Sequence, residues 1–157
     1  MKRFFLSVVL LCLSTSLVGC AGMQARNAQR RYIHEQTAQH RYASSCGPIL
    51  AEVRKMLFED GFSIKTVDPS LNMFETEWSV SERASGDLQE ERYLVHGKQL
   101  QPELCAITIT HAEANDSGVE TSRDFDFEWS VLQRVDPVNA QRIRQESDAV
   151  YLSNGGS

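Results

Sequence analysis

The sequence predicts an α+β fold: a five-stranded antiparallel meander flanked on one face by an N-terminal and a C-terminal helix. Three observations carry this expectation. Cys46, Ile49, Leu50, Val53, Met56 and Leu57 recur at spacings of three and four, the stripe of a helix with one buried side. Between residues 62 and 131, several segments alternate apolar and polar residues, each bounded by Gly, Pro, Asn, Asp or Ser. After Asp136-Pro137 the helical spacing returns through Ala140, Ile143, Ser147 and Val150.

At the start of the chain, Lys2 and Arg3 precede an apolar run over residues 4–13, then Ser14-Thr15-Ser16 and Leu17-Val18-Gly19-Cys20. A positive start, a short apolar core and a small-residue cleavage site describe a signal peptide, residues 1–19. The run is too short and wrongly flanked for a transmembrane helix. Leu17-Val18-Gly19-Cys20 resembles the lipobox of bacterial lipoproteins. The resemblance implies cleavage after Gly19, a diacylglyceryl group on Cys20 and acylation of the new N-terminus. No other cofactor is expected. Several acyl chains anchor stably, because each buried methylene contributes about 0.8 kcal/mol and one chain alone is marginal. Lipoproteins of this kind are usually retained by Asp after the Cys, so Ala21 implies the outer membrane, with the folded part facing the periplasm.

Removing the first 19 of 157 residues leaves 138, enough for one domain with its own core. The net charge is −5, and loss of Lys2 and Arg3 takes it to −7. Such acidity argues against nucleic acid, or an anionic membrane surface, as the main partner. Of the four cysteines, Cys12 leaves with the signal peptide and Cys20 is consumed by lipid. Cys46 and Cys105 remain, in a compartment that permits disulfides. A bridge between them closes a loop of about 60 residues and contributes roughly 4 kcal/mol in the chain-entropy model. Two unlinked buried thiols are the alternative.

Lipidated Cys20 opens the next stretch, residues 20–44, which is rich in Gln, Ala and Arg and lacks a sustained apolar stripe. Arg26, Arg30, Arg31 and Arg41 stand against the single acid Glu35. This reads as a polar basic tether, open to transient helix formation, spanning about 25–30 Å at random-coil density. Its arginines either lie on anionic headgroups, at about 1 kcal/mol each, or simply keep a linker soluble. A single domain over residues 45–152 follows, and residues 153–157 read as a disordered tail.

Within the domain, Pro48 suits a first helical turn, Ser45 or Gly47 a cap, and Gly61 a stop. Phe62, Ile64 and Thr66 make one strand face, and Asp68-Pro69-Ser70-Leu71-Asn72 a turn. Phe74, Thr76, Trp78 and Val80 share the next face, followed by Glu91, Tyr93 and Val95, then Cys105, Ile107 and Ile109. After the turn at Asn115-Asp116-Ser117-Gly118, Phe125, Phe127, Trp129 and Val131 alternate with Asp124, Asp126, Glu128 and Ser130 as a fifth strand. Consecutive hairpins set Ile64 opposite Thr76, Trp78 opposite Tyr93, Val95 opposite Ile107, Phe127 opposite Ile107 and Trp129 opposite Cys105. A slip of one residue throws an apolar set to the wrong face. The register puts Cys105 where the helix packs, within reach of Cys46.

The helix over residues 47–60, the following Gly61-Phe62 and the stretch Phe74-Glu75-Thr76-Glu77-Trp78 resemble the helix-grip domains of BamC-like outer-membrane lipoproteins. There a helix ends in Gly-apolar, and the second strand carries apolar-x-Thr-x-Trp. The resemblance covers about a quarter of the chain directly and the rest by order of elements. It implies a helix-grip-like fold and a non-enzymatic accessory role in an envelope assembly. It transfers no functional residue.

Chemistry-bearing residues are sparse. His34 and His40 sit six apart in the tether, while His96 and His111 are expected on the polar sheet face, opposite Ala106 and Arg123. None has metal-ligand spacing, so no metal is expected. No Ser lies in a Gly-x-Ser-x-Gly turn. Asp124, Asp126 and Glu128 are expected on one strand face, with Glu75 and Glu77 two strands away and Thr108 and Thr110 beside them. Paired carboxylates serve glycosidases in a cleft, but a row on a flat outer face is a wet surface. The same row is a candidate docking surface for a cationic or hydroxyl-rich partner, and the terminal strand edge a second. The chain is therefore expected to be no enzyme. It reads as a protein-interaction or assembly-accessory module of the envelope, anchored to the outer membrane. The alternative is a small-molecule or lipid-binding lipoprotein with a cavity between helix and sheet.

Overall fold

The computed structural model describes residues 22–82, 88–115 and 117–156, so the expected signal peptide and the Leu17-Val18-Gly19-Cys20 stretch lie outside it. These residues form two compact units, one over 37–140 and one joining 22–36 to 141–156. The fold is α+β, with an open six-stranded antiparallel sheet and four helices.

The larger unit begins its regular structure with α2 (Cys46–Glu59). Its buried residues are the six of the expected stripe: Cys46, Ile49, Leu50, Val53, Met56 and Leu57. Ser45 is the N-cap without a capping side-chain bond, and the Cys46 amide donates instead to Gln99 Oε1 at 2.8 Å. At the other end Gly61 has φ +92°. There the Gly61 amide donates to Phe58 O (3.1 Å) and the Phe62 amide to Leu57 O (2.9 Å). This pair of bonds satisfies the last carbonyls and seats Phe62 on Leu57, both buried. Only glycine reaches that backbone conformation cheaply.

Six strands follow: β1 (Ile64–Asp68), β2 (Met73–Thr76), β3 (Ser79–Glu82), β4 (Leu88–Gln101), β5 (Leu104–Asn115) and β6 (Gly118–Arg123). Their order is β1-β2-β4-β5-β6, with β3 beside the start of β4. Ile64 pairs with Thr76 as expected. The other expected pairings shift. Val95 faces Ile109 rather than Ile107, a two-residue offset that keeps the apolar face intact. Trp78 does not face Tyr93. Between the pairs Phe74–Val95 and Ser79–Glu91, the β2–β3 segment carries one extra residue. The buried Thr76 hydroxyl accepts the Tyr93 amide at 2.9 Å in place of a carbonyl. The extra residue moves Trp78 to the other face, as a bulge does, and there Arg92 lies 4.7 Å above its ring.

The largest correction concerns the fifth strand. Residues 124–131 are not a strand: α3 (Phe125–Val135) occupies them, and the last strand is the polar β6. The Asp124 side chain caps α3 by accepting the Phe127 amide at 2.8 Å. Glu128, Val131 and Leu132 are its buried stripe, so Phe127 opposite Ile107 and Trp129 opposite Cys105 do not form.

One sheet face carries the core: Phe74, Val95, Cys105, Ile107 and Ile109, under α2 and α3. Cys46 and Cys105 are bridged, with Cα atoms 5.2 Å apart. Gly97 lets α2 come this close, because a Cβ there would lie 3.1 Å from Cys46 Cβ and 3.2 Å from Leu50 Cδ1. Arg134 of α3 reaches Glu59 (2.7 Å) and Glu52 (2.6 Å) of α2.

The remaining helices include the stretch expected as a tether, which is helical over most of its length. Residues 22–39 are helical, here α1, and α4 runs over Pro137–Ser153. In the smaller unit Gln29 donates to Asp148 (2.7 Å) and Tyr32 to Glu146 (2.8 Å), pairing the two helices antiparallel. Ala25, Ile33, Ile143 and Ser147 are buried. The expected tail also has structure: the Gly156 amide donates to Tyr151 O (3.1 Å) and the Gly155 amide to Leu152 O (3.2 Å). With Gly155 at φ +83°, this is the same helix stop as at Gly61. No helix among the described residues is long and apolar enough to cross a membrane.

Candidate interaction surface

Strand register decides which expected site residues meet. Glu75 pairs with Leu94, and Leu94 with Thr110. Met73 pairs with His96, and His96 with Thr108. Partners directly opposite share a face, so Glu75, Thr108 and Thr110 do lie together on the sheet face away from α2. Glu77 is exposed in the bulge between β2 and β3, where its amide donates to Ser63 O at 2.8 Å.

The other three acids are elsewhere. Asp124 is the α3 cap, with Tyr93 OH 3.4 Å from its second oxygen. Asp126 is exposed in the first turn of α3, where a carboxylate suits the helix dipole. Glu128 is 1% exposed. Its Oε1 accepts the Ile109 amide (2.8 Å) and Arg123 Nε (2.8 Å), and its Oε2 accepts Arg123 Nη2 (2.9 Å). It finishes the β5 ladder where β6 has ended. Of the seven residues expected on one surface, the register brings Glu75, Thr108 and Thr110 together.

Nor is that surface acidic. Glu75 lies 3.5 Å from Lys65 and 3.3 Å from Arg92. Around this neutralised acid stand Arg92 on Trp78, exposed His96 and Lys98, and Leu94, which is 40% exposed. The face offers an aliphatic centre with Arg92 and Lys98 on one strand beside it and exposed Glu90 beyond Arg92, a mixed-charge border that suits an apolar segment better than a strongly basic one.

The opposite face holds a polar-aromatic cluster that strand spacing did not flag. His111 faces inward rather than onto the wet face: it stacks on Tyr93 (4.8 Å between centroids) and contacts Glu91 at 2.9 Å. Phe62 and Phe127 also pack on Tyr93. Burial, and then the negative charges of Asp124 and Glu91, push the Tyr93 phenol well above its ordinary range. Tyr42, whose backbone bridges to Cys105, is raised by burial and then by Glu128 and Asp136. His40, expected in the tether, has Nε2 3.4 Å from Asp136 Oδ2. These phenols stay protonated at neutral pH and act as packing groups. The Cys105 sulfur is held in the disulfide and is no nucleophile. Among the described residues, no group of three or more His, Cys, Asp or Glu is arranged to hold a metal.

A cleft of about 170 Å³ opens between α2 and the β1–β2 turn, lined by Leu50, Arg54, Val67, Asp68, Asn72 and Phe74. Arg54 lies 6.0 Å from the centroid of the Phe74 ring. Asp68 is occupied by the turn itself. The Ser70 hydroxyl, then the Leu71 and Ser70 amides, hold its carboxyl below the usual range. Asp68-Pro69-Ser70 was legible as a turn, but its closeness to Arg54 depends on the helix packing. The chain matches no protein-family model and no curated protein.

Proposed function

We propose that this chain is an outer-membrane lipoprotein held by the lipids on Cys20, facing the periplasm, whose sheet unit docks another envelope protein without chemistry of its own. The address rests on the signal peptide and Leu17-Val18-Gly19-Cys20-Ala21. The closed Cys46–Cys105 bridge agrees with an oxidising compartment. The helix-grip resemblance supports an accessory role in an envelope assembly.

One observation carries the docking reading: the row Glu75–Leu94–Thr110, where a half-open leucine is set among paired charges at the centre of an open sheet face. Isolated exposed leucines are ordinary, but here Arg92 lies beside it on the same strand face, with exposed His96 and Lys98 further along β4. A photo-crosslinking residue at position 94, in the anchored protein and in a Cys20→Ser form, tests this in cells. A discrete adduct from position 94 in the anchored form is expected, with none from exposed Gln133. Absence of any protein adduct from positions 94 and 108 overturns the reading.

The cleft at Arg54 favours a second reading, the binding of a small amphiphile bearing a carboxylate or phosphate. Native mass spectrometry of the membrane-extracted protein tests it. A retained ligand lost on Arg54→Ala supports this reading, and a ligand-free spectrum removes it.

A further inference from the structure

The smaller unit has one end that its own packing leaves unexplained. Gln29–Asp148 and Tyr32–Glu146 fix the antiparallel register, so residues 22–26 and 150–156 form the same end of the helix pair. Met23 is 62% exposed there and Leu152 64%. Tyr151 sits beside them, its ring closed over Gly156, where a Cβ would fall 2.3 Å from Cε1. Arg26 is exposed at this end, and the last turn of α4 holds no acid. Asp148, one turn before Leu152 on α4, is bonded to Gln29.

Charge singles out this unit as well. Its described residues hold Arg26, Arg30, Arg31, Arg142 and Arg144 against Glu35, Glu146 and Asp148, although the whole chain is net negative. Covalent reach adds the decisive constraint. Met23 follows Cys20 by three residues, so it stays within roughly 11 Å of that α-carbon whatever path the chain takes.

We propose that this end of the helix pair is a phospholipid-contacting surface, with Met23 and Leu152 entering the acyl boundary, Tyr151 at headgroup depth and Arg26 on lipid phosphates. The inference rests on lipidation of Cys20. An exposed apolar pair is common, but one held beside a lipid anchor meets a bilayer before anything else. Apolar side chains and cations together suit that interface. Acidity of the chain as a whole does not oppose it, because the excess carboxylates belong to residues 37–140. The result is a rigid helical footing for the anchor.

The test uses the full lipoprotein, reconstituted in phosphatidylcholine vesicles containing phosphatidylglycerol. An environment-sensitive fluorophore is placed through Leu152→Cys, and in a second protein through Gln141→Cys, eleven residues back along α4 and roughly 17 Å from it. The position-152 label is expected to shift to the blue and to be quenched several-fold more by brominated lipids than the position-141 label. Adding Met23→Asp and Arg26→Glu should abolish that difference while flotation with the vesicles persists. Equal access of aqueous iodide to both labels, in protein that floats, overturns the inference and leaves the anchor standing. Failure to float removes the anchor and the inference together. Protection of position 152 in cells but not in protein-free vesicles assigns this end to a protein partner and also overturns it.

Discussion

The two faces of the β4–β5 hairpin each carry a glutamate paired with arginine, and the two pairs serve different ends. On the covered side, Glu128 is sealed from water and takes three hydrogen bonds from Arg123 and the Ile109 amide, all under 3 Å. On the open side, Glu75 shares Lys65 and Arg92 at 3.3 to 3.5 Å, with Arg92 divided between the acid and the Trp78 ring. Burial makes the first pair part of the sheet, completing a ladder that β6 leaves short. Water screens the second, which adjusts the charge of a surface. The same side-chain chemistry therefore gives architecture on one face and a docking ground on the other.

Removing Glu128 should break this contrast most. Glu128→Ala leaves the Ile109 amide and a partly buried guanidinium without their partner, and a loss of about 3 kcal/mol in a urea unfolding titration is expected. Glu128→Gln should lose less, since an amide oxygen still accepts one of the bonds. If Glu128→Ala unfolds no more easily than the parent, the carboxylate is not the structural group described.

Alkali probes the covered face more gently. Folding holds the Tyr42 and Tyr93 phenols neutral above their ordinary value of about 10. Their folded pKa values are raised, so the stability they contribute is complete below pH 10. It falls as pH climbs from there, because the unfolded chain releases these protons first. Unfolding midpoints measured from pH 8 upwards should decline beyond pH 10, and Tyr42→Phe should flatten that decline.

Glu75→Ala should have the smallest effect on folding, within about 1 kcal/mol, as expected for an exposed pair. It sharpens the comparison in another way. Freed of its acid, the Arg92 face becomes more cationic, and the crosslinking yield from position 94 should change while the melting temperature hardly moves. A large stability loss here, with unchanged crosslinking, would assign Glu75 to the fold instead.

Legibility followed the range of the interactions. The α2 stripe could be read residue by residue, because its burial pattern and its Gly61 stop lie within one short segment. The run over residues 124–131 misled for a local reason: Phe125, Phe127, Trp129 and Val131 fit period two, yet Asp124 caps and Val131 with Leu132 fit period 3.6. The cap and the packing of α3 against β5 decided between them. Trp78 was misplaced because one extra residue beyond Thr76 leaves no mark in composition. Residues 22–39 read as a tether because small Ala25 and a widely spaced Ile33 make a thin stripe, and the helix they pair with begins a hundred residues later.

By itself the sequence determined the α+β class, the α2 helix with its stop, the helical spacing of α4 and the candidate cysteine pair. Each depends on residues close in the chain, or on the small number of cysteines available to pair. Tertiary structure decided between strand and helix for α3, turned Glu128 inward, stacked His111 on Tyr93 and paired the basic stretch with α4. Those outcomes turn on which distant surface arrives to accept a side chain, and local periodicity does not record that.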